Sequence, residues 1–168
     1  MRVLVLLTGL PGTGKSEIAA AVASAINACT ISADPIDAAL AEAGVANEEG
    51  KVGYELMKAL TRNEVRSGRS VVVDAVNPFQ FVRQAYLDLA EENLTAAFVI
   101  VTTCSDLSIY RHRVSQRHVH GEKDIDWSGV ERQIGYYEPF EGTCLILDAS
   151  NALDENRASA VTYVLGAI

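Results

Sequence analysis

One short segment, residues 9–16, constrains the fold of this chain more than any other feature. It reads Gly-Leu-Pro-Gly-Thr-Gly-Lys-Ser and matches the pattern G-x-x-x-x-G-K-[ST] at every specified position. An apolar run precedes it at residues 3–7, and Ile18, Val22 and Ile26 follow it at the four-residue steps of a helix face. A strand, a glycine-rich turn and a helix in this order favour a phosphate-binding P-loop, because an ordinary turn leaves the Lys-Ser pair unexplained.

Different residues of this loop are predicted to bind different parts of a nucleotide and its metal ion. Its glycines let the backbone curl so that N–H groups point inward, and the helix N-terminus that follows adds positive potential. Lys15 is expected to neutralise the β- and γ-phosphates of ATP, and the Ser16 hydroxyl to bind Mg²⁺. The predicted nucleotide-binding residues of the loop are Gly9, Pro11, Gly12, Thr13, Gly14, Lys15 and Ser16.

Apolar, β-rich runs alternate with helical patterns along the chain, which predicts an α/β fold of repeated β-α units around a mainly parallel sheet. The predicted strands are residues 2–8, 28–32, 70–74, 96–103 and 143–148. Besides the helix after the P-loop, helices are predicted over residues 35–43, 48–67, 105–118, 128–137 and 154–168, and one more has a core-facing stripe of Phe81, Ala85 and Leu89. The chain shows no repeat, low-complexity tract or linker, so we expect one domain over residues 1–168.

The charge balance narrows the choice of partners. The formal net charge is −8, so the surface as a whole repels phosphate backbones, and nucleic acid is a disfavoured partner. No apolar run approaches the roughly 20 residues of a membrane-spanning helix, and the apolar start is too short for a signal peptide. We therefore expect a cytoplasmic protein without membrane contact. The cysteines are widely spaced and are expected to be buried, reduced thiols: Cys29, Cys104 and Cys144.

Asp34 is the candidate for the chemical step. It follows the second predicted strand, and the carboxyl ends of parallel strands face the ligand crevice. There it could accept a proton from a substrate hydroxyl as that oxygen attacks the γ-phosphorus. The alternative is that Asp34 caps a helix that begins at Pro35, since Asp followed by Pro is a good helix start. Asp37, three residues further on, is a weaker candidate for substrate contact.

A second acid, Asp74, ends the third predicted strand. Residues 71–74 read Val-Val-Val-Asp, which is the general form of a Walker B element, whose carboxylate holds Mg²⁺ directly or through water. The alternative is a solvated acid at the end of a strand. Asn77 follows in the next loop and could contact either substrate or phosphate.

Residues 111–121 hold three arginines and all three histidines of an otherwise acidic chain. Arg113 and Arg117 are four residues apart and share a helix face. This pattern suits a mobile lid, about residues 118–128, that closes over ATP and supplies charge to the transferring phosphoryl group. The alternative is a solvated basic face paired with nearby acids, and the histidines lack the spacing of a metal site. Further arginines that could contact phosphate are Arg111 and Arg132.

With these motifs in place, the chain resembles the P-loop kinases related to nucleoside monophosphate kinases, and within them small kinases near chloramphenicol phosphotransferase and zeta toxin. The resemblance covers nearly the whole length and rests on the P-loop, the arginine-bearing helix, and residues 32–34, 68–74, 126–127 and 131–133. It implies a parallel five-stranded sheet of order 2-3-1-4-5 flanked by helices, with ATP at the P-loop. It also implies a substrate hydroxyl near Asp34, lid arginines at Arg113 and Arg117, and an adenine bordered by Ser150 and Asn151.

The sequence thus predicts an ATP- and Mg²⁺-dependent phosphotransferase that acts on a hydroxyl of a small molecule. Antibiotics, sugars, sugar nucleotides and nucleosides all fit, because no side-chain pattern in residues 35–67 identifies a ligand. The nearest alternative is a kinase for nucleotides or for 5′ ends of nucleic acids, although the acidic charge and the aromatic content of 7% argue against it. An alternative from a different functional class is a nucleotide-dependent switch, which hydrolyses ATP slowly and signals to a protein partner. The preference for ATP over GTP and the oligomeric state stay open.

Overall fold

The computed structural model describes residues 2–119 and 126–166, with the side chains of residues 49 and 117–119 left aside. The strands in these ranges are β1 (Val3–Gly9), β2 (Cys29–Ser32), β3 (Val71–Asp74), β4 (Ala96–Thr103) and β5 (Leu145–Asp148). The helices are α1 (Lys15–Ile26), α2 (Ala33–Glu42), α3 (Lys51–Arg66), α4 (Gln80–Glu92), α5 (Leu107–Val119), α6 (Trp127–Tyr136) and α7 (Leu153–Leu165). A short 3-10 turn, Glu48–Gly50, precedes α3. The predicted strands are confirmed to within two residues at each end.

The strands form one parallel sheet in the order β2-β3-β1-β4-β5, which confirms the predicted fold. The central strand β1 is buried along its whole length and apolar except for Thr8, as a strand covered on both faces should be. The connection from β1 leads to β2 on one side of the sheet, and the connection from β3 leads to β4 on the other side of β1. The two connections therefore run in opposite directions across the sheet. The crevice outside the carboxyl ends of β1 and β3 is therefore the expected ligand site.

Two apolar layers hold helices against the two faces of the sheet. On one face α1 and α7 pack over Val5, Leu7 and their neighbours in β1 and β4. On the other face α3 and α4 contribute Met57 and Tyr86. A third, smaller cluster joins α5 and α6 to the P-loop and consists of Leu10, Cys104, Tyr110, Val114, Trp127 and Val130. These contacts fix the P-loop and the arginine-bearing helix α5 relative to the sheet.

Helix α4 buries a face that differs from the predicted one. Phe81 is 71% exposed and Ala85 is half-buried, so of the predicted stripe only Leu89 reaches the core. The buried side chains at the same level are those of Arg83 and Tyr86. The prediction failed because a hydropathy pattern assigns every arginine to solvent, whereas the Arg83 guanidinium is satisfied by main-chain oxygens and a neighbouring amide.

Several other expectations need correction. Helix α2 begins at Ala33 rather than at Pro35, and the predicted helix over residues 48–67 is interrupted at Gly50, whose φ of 71° ends the 3-10 turn before α3. The three cysteines are free, as predicted, but half-buried rather than buried.

The predicted lid falls on residues 118–128, of which 120–125 lie outside the described residues. In the part of the chain that is described, no helix has the length and apolar character to span a membrane.

Candidate active site

The P-loop connects β1 to α1 as predicted, and its shape depends on glycine. Gly9, Gly12 and Gly14 all have positive φ, at 146°, 82° and 82°. At Gly9 there is also no room for a side chain, because a Cβ atom would lie 2.4 Å from the carbonyl oxygen of Thr102 in β4. The loop therefore lies directly on the neighbouring strand, with a backbone conformation that L side chains rarely adopt.

The underside of the P-loop is held by threonine hydroxyls. Thr13 is buried, and its Oγ1 donates a hydrogen bond to the Leu10 carbonyl at 2.7 Å. A second bond of 2.7 Å joins the hydroxyls of Thr13 and Thr102. The Thr13 side chain thus braces the loop from within.

Lys15 and Ser16 open helix α1 at the edge of the crevice. Gly14, the N-cap residue, offers no side-chain hydrogen bond to the first turn, so the N-terminus of α1 is not capped by its own cap residue. The Lys15 ammonium donates a hydrogen bond to the Leu10 carbonyl at 2.9 Å and thereby lies across the loop. A loop of inward N–H groups, an ammonium and a helix N-terminus together form an environment suited to an anion such as phosphate.

A cleft of about 1050 Å³ lies outside the carboxyl ends of β1 and β3. It is large enough for a nucleotide together with a small second substrate, since ligand pockets commonly measure roughly 300–1,000 Å³. The structure brings most of the predicted site residues to its wall. These are Pro11, Gly12, Gly14, Lys15, Ser16, Asp34, Asp37, Asp74 and Arg113.

Asp74 ends β3 directly beside β1 and β2. The sheet register places it opposite Leu7 on one side and Ser32 on the other, and its residue exposure is 5%. The Ser32 hydroxyl donates a hydrogen bond to Asp74 Oδ2 at 3.2 Å. A carboxylate and the Ser16 hydroxyl on one cleft wall are hard oxygen ligands of the kind that Mg²⁺ prefers. The alternative of a solvated acid is therefore wrong, because Asp74 is buried.

Asp34 lies in the first turn of α2 and lines the same cleft. The alternative that Asp34 caps this helix is wrong, because the helix begins at Ala33, two residues before Pro35, and its N-cap residue is Ser32. A carboxylate in the first turn still stabilises the helix through the macrodipole. The structure therefore places Asp34 where it can face a substrate bound next to the P-loop.

Asn77 does not reach the cleft, contrary to the prediction that it contacts substrate or phosphate. It is fully buried, and its Nδ2 donates a hydrogen bond to the Leu7 carbonyl at 2.7 Å. Its backbone N–H donates to the Tyr54 hydroxyl, and its carbonyl accepts from the Arg83 guanidinium. Asn77, with φ at 46°, fixes the loop after β3 to the central strand and so supports Asp74 indirectly.

The arginines of α5 and α6 have different surroundings. Arg113 lines the main cleft and also a second, small cavity beside the P-loop. Arg111 points elsewhere, since its guanidinium lies 5.0 Å from the centre of the Trp127 ring and 3.7 Å from the Glu131 carboxylate. Arg132 is exposed and is not part of the cleft wall. The backbone of Arg117 belongs to α5, but its side chain lies outside the described residues.

The loop after β5 places its two predicted adenine contacts differently. Asn151 lines the small cavity, together with Gly14, Arg113 and Leu153. The Ser150 hydroxyl instead accepts a hydrogen bond from the Asp106 amide at 3.1 Å, so it ties this loop to the start of α5. Hydrogen bonds from Ser105 and Ser150 also hold the pKa of Asp148 well below its ordinary value of 3.8. Ser150 thus orders the loop, while Asn151 is the one that faces open space.

Several lining residues were not predicted as site residues. Helix α5 contributes Gln116, which is three residues after Arg113, so helical spacing around Arg113 could have found it. The same helix contributes His112, which is four residues before Gln116. Tyr54 lines the opposite wall, and burial raises its pKa to about 12, so it is a neutral hydroxyl at ordinary pH. Gln133 of α6 also faces the cleft. No sequence signal marks Tyr54, because it comes from an element packed against the site rather than from a motif. Gln133 lies within residues 131–133, which carry part of the resemblance, but it was not predicted to be a site residue.

The family model described as "AAA domain" matches residues 4–140. The chain belongs to this AAA-domain family. The matched AAA-domain span includes the P-loop, Asp34, Asp74 and Arg113 and ends before β5. No curated protein matches the sequence.

Solved structures share the fold over nearly the full chain. An unliganded sugar kinase from Janibacter sp. HTCC2649 superposes with a TM-score of 0.73 at 18% identity, covering 98% of this chain and 95% of the other. The Mycobacterium tuberculosis APS kinase CysC, in complex with AMPPNP and APS, gives 0.71 at 18% identity and covers 98% of both chains. Chaetomium thermophilum Kti12, in complex with ADP-AlF3, gives 0.75 at 17% identity and also covers 98% of both chains. At these identities the likeness establishes the fold.

Proposed function

We propose that this protein is an ATP-dependent kinase that transfers the γ-phosphate of ATP to a hydroxyl group of a small molecule. One observation supports this proposal above the others. The P-loop residues Lys15 and Ser16, the carboxylates Asp34 and Asp74, and the arginine Arg113 line a single cleft. Such a set provides the parts that phosphoryl transfer needs: a phosphate cradle, metal ligands, a base and a cation for the transferring group.

The nucleotide end of the cleft would hold ATP mainly through backbone. The P-loop N–H groups and the N-terminus of α1 would bind the phosphates, and Lys15 would leave the Leu10 carbonyl to pair with the β- and γ-phosphates. Ser16, with Asp74 directly or through water, would hold Mg²⁺, which neutralises phosphate charge when bound. The hydrogen bond from Ser32 keeps the Asp74 carboxylate oriented.

The chemical step is assigned to Asp34. As the acceptor oxygen forms its bond to the γ-phosphorus, the hydroxyl proton would pass to the Asp34 carboxylate and the bond from phosphorus to the ADP oxygen would break. Arg113, and Arg117 one helical turn later, would stabilise the charge of the transferring group. Residues of the predicted lid, about 118–128, would then close the cleft against water.

Two of the structural relatives point to a small acceptor. One is named a sugar kinase, and another is an APS kinase with APS bound. The acidic charge of this chain agrees with a compact acceptor, since an extended phosphate backbone would be repelled by a net charge of −8. The narrower resemblance to kinases near chloramphenicol phosphotransferase and zeta toxin stays a prediction.

A transfer screen tests this function directly. Purified protein, Mg²⁺ and ATP labelled in the γ-phosphate are incubated with separate pools of antibiotics, sugars, sugar nucleotides and nucleosides. We expect a labelled small product from at least one pool, and roughly a hundredfold less of it, or lower, from the Asp34→Asn variant. Slow release of inorganic phosphate with no labelled product from any pool would instead support the ATP-dependent switch.

A further inference from the structure

Two neighbouring strands carry the proposed Mg²⁺ ligands into segments that are no longer paired in the sheet. The pairing of β1 with β3 ends where Leu7 lies opposite Asp74. Beyond this pair, β1 continues into the P-loop with Ser16, and β3 continues into residues 75–79, which we call the β3 loop. The relative position of the Ser16 and Asp74 oxygens therefore depends on the contacts that join the P-loop to the β3 loop.

Thr8 joins the start of the P-loop to the β3 loop. The Gly9 amide donates a hydrogen bond to the Val76 carbonyl at 3.2 Å. The Thr8 hydroxyl oxygen lies 2.9 Å from the same carbonyl oxygen and 3.2 Å from the carbonyl oxygen of Asn77. Thr8 is fully buried, so these bonds are shielded from water. The Thr8 side chain thus strengthens the only turn of chain at which the two loops are still side by side.

The hydroxyl of Tyr137, at the end of α6, is the remaining partner of Thr8. The two hydroxyl oxygens lie 2.7 Å apart. A threonine hydroxyl has one hydrogen, and a carbonyl oxygen can only accept, so the hydrogen of Thr8 points to the β3 loop. Tyr137 is therefore the donor and Thr8 the acceptor of the bond between them. This bond fixes the direction in which the Thr8 hydroxyl points.

Tyr137 itself is held by contacts that do not involve its hydroxyl. Its amide donates a hydrogen bond to the Gln133 carbonyl at 2.9 Å, and the amide of Glu138 donates one to the Pro78 carbonyl of the β3 loop, also at 2.9 Å. The Arg83 guanidinium lies 5.5 Å from the centre of the Tyr137 ring. Removal of the hydroxyl alone should therefore leave the ring and the backbone in place.

The P-loop has separate support on the side of β4. The Thr13 hydroxyl is bonded to the Leu10 carbonyl and to the hydroxyl of Thr102 in β4. These bonds do not depend on Thr8 or Tyr137. Loss of the Thr8 contact should therefore leave the phosphate cradle intact and change its position relative to the β3 loop.

We propose that the Tyr137 hydroxyl is a positioning group for the nucleotide end of the cleft. Acting through Thr8, it keeps the P-loop and the β3 loop at a fixed spacing, and with them the proposed Mg²⁺ ligands Ser16 and Asp74. This inference rests on the nucleotide- and Mg²⁺-binding part of the proposed function. Loss of the hydroxyl should weaken the binding of the nucleotide with Mg²⁺ and leave the binding of the metal-free nucleotide nearly unchanged, because only the spacing of the two ligands is disturbed.

Calorimetry of the full chain with AMPPNP, in Mg²⁺ and in EDTA, tests the inference. The measured quantity is the Mg²⁺ gain, defined as the ratio of the AMPPNP affinity with Mg²⁺ to the affinity without it. We expect Tyr137→Phe to lower the Mg²⁺ gain about fivefold, the effect of one hydrogen bond, and to change the affinity in EDTA less than about twofold.

Tyr136→Phe is the matched control. Tyr136 is the preceding residue, is exposed, and has no hydrogen bond through its hydroxyl among the described residues, so this variant should keep the Mg²⁺ gain of the parent. An unchanged gain in Tyr137→Phe would overturn the inference, and a lower melting temperature with that unchanged gain would show a structural role alone. Equal losses in both variants, or a parent whose AMPPNP affinity does not respond to Mg²⁺, would also overturn it.

Variants of Thr8 test whether Tyr137 acts through this residue. Thr8→Ser keeps the hydroxyl and should keep the Mg²⁺ gain, whereas Thr8→Val keeps the shape and should lower the gain as Tyr137→Phe does. The double variant Thr8→Val with Tyr137→Phe should lose no more than either single variant, because both changes break the same chain of hydrogen bonds. Additive losses, or equal losses in Thr8→Ser and Thr8→Val, would overturn the inference. If Thr8→Val does not fold, the comparison of Tyr137→Phe with Tyr136→Phe decides.

Phosphate transfer by the parent, measured with labelled ATP and the pools of hydroxyl compounds, separates this inference from the kinase proposal. A labelled product from the parent, together with an unchanged Mg²⁺ gain in Tyr137→Phe, would support the kinase and overturn the role of Tyr137. A lowered Mg²⁺ gain in Tyr137→Phe, with no labelled product from the parent in any pool, would support the role of Tyr137 and contradict the kinase.

Discussion

At the scale of single residues, Lys15 is the one cation within the phosphate loop, residues 9–16. Replacing it by Ala should weaken ATP binding and lower phosphate transfer by on the order of a hundredfold or more, because no other side chain of the loop can neutralise the phosphates. The fold should survive, since Lys15 is half-buried at the edge of the cleft, where its ammonium donates a hydrogen bond to the Leu10 carbonyl of the same loop.

Calorimetry with ATP and a transfer assay check the Lys15→Ala prediction. Lys58→Ala is the matched control, because Lys58 is a cation of α3 that pairs with Glu55 outside the cleft wall. Unchanged ATP affinity together with unchanged turnover in Lys15→Ala would remove the P-loop from the mechanism.

Asp34→Asn should separate chemistry from nucleotide binding. The amide cannot accept the acceptor's proton, so transfer should fall by roughly a hundredfold or more while the ATP dissociation constant stays near that of the parent. Steady-state transfer and ATP titration measure the two effects side by side. Normal transfer would contradict the assignment of Asp34 and would direct attention to Asp37, the next acid on the same helix.

These single residues differ in how well a sequence predicts them. The P-loop could be predicted because its groups are contiguous, and Asp74 because it directly follows an apolar strand. Asn77 could not, since its burial depends on contacts with Leu7 in β1 and Tyr54 in α3 that are distant in the chain. A polar residue in a loop near a site is therefore ambiguous until its hydrogen-bond partners are known.

At the scale of elements, two of the three arginines of helix α5 have different surroundings. Arg113 faces the cleft, whereas Arg111 contacts Trp127 and Glu131. Arg113→Ala should lower the turnover number by roughly tenfold to a hundredfold and change ATP affinity only a few-fold, because charge on the transferring group is stabilised chiefly in the transition state.

Arg111→Ala is the internal control for this comparison. Its exposed ion pair with Glu131 and its contact with the Trp127 ring predict a small change in stability and little change in turnover. Equal losses of turnover in both variants, measured by steady-state kinetics at saturating ATP, would contradict a specific role for Arg113.

Helix α4 depends on a buried arginine that a hydropathy pattern does not reveal. The Arg83 guanidinium donates hydrogen bonds to the Gln80 side chain and to the carbonyl oxygens of Asn77 and Pro139, and it lies 5.5 Å from the centre of the Tyr137 ring. Its partners come from the first residue of α4, from the loop before α4 and from the segment after α6. Because the segment after α6 is distant in sequence, periodicity alone predicted the wrong buried face for α4.

Arg83→Met should lower the free energy of unfolding by about 3 kcal/mol, because the two carbonyl oxygens lose a charged donor and stay buried. Urea denaturation measures the change. Arg62→Met, at an exposed position of α3, is the control and should change it by less than about 0.5 kcal/mol. An equally small change in the free energy of unfolding of Arg83→Met would contradict this prediction, because the two carbonyl oxygens would then have found other hydrogen-bond donors.

At the scale of the whole molecule, strand order and site location follow from a few local rules. Alternating strands and helices, continuous apolar runs and a P-loop after the first strand together predicted the parallel sheet and the edge at which ligands bind. The end of the cleft away from the P-loop was not predictable in this way. It is built from α2 and α3, where the Asp37, Asn47 and Gly53 contacts appear only once the two helices are packed.

The central claim is that the cleft phosphorylates a small hydroxyl compound, and direct competition tests it most sharply. Labelled ATP is offered at once to a pool of small hydroxyl compounds and to oligonucleotides with 5′-hydroxyl ends, at low and at high salt. We predict that the label appears in the small compounds and that the rate of transfer depends little on salt, since an acidic surface repels an extended phosphate backbone. Preferential labelling of the oligonucleotides, with transfer that falls steeply as salt rises, would contradict the claim.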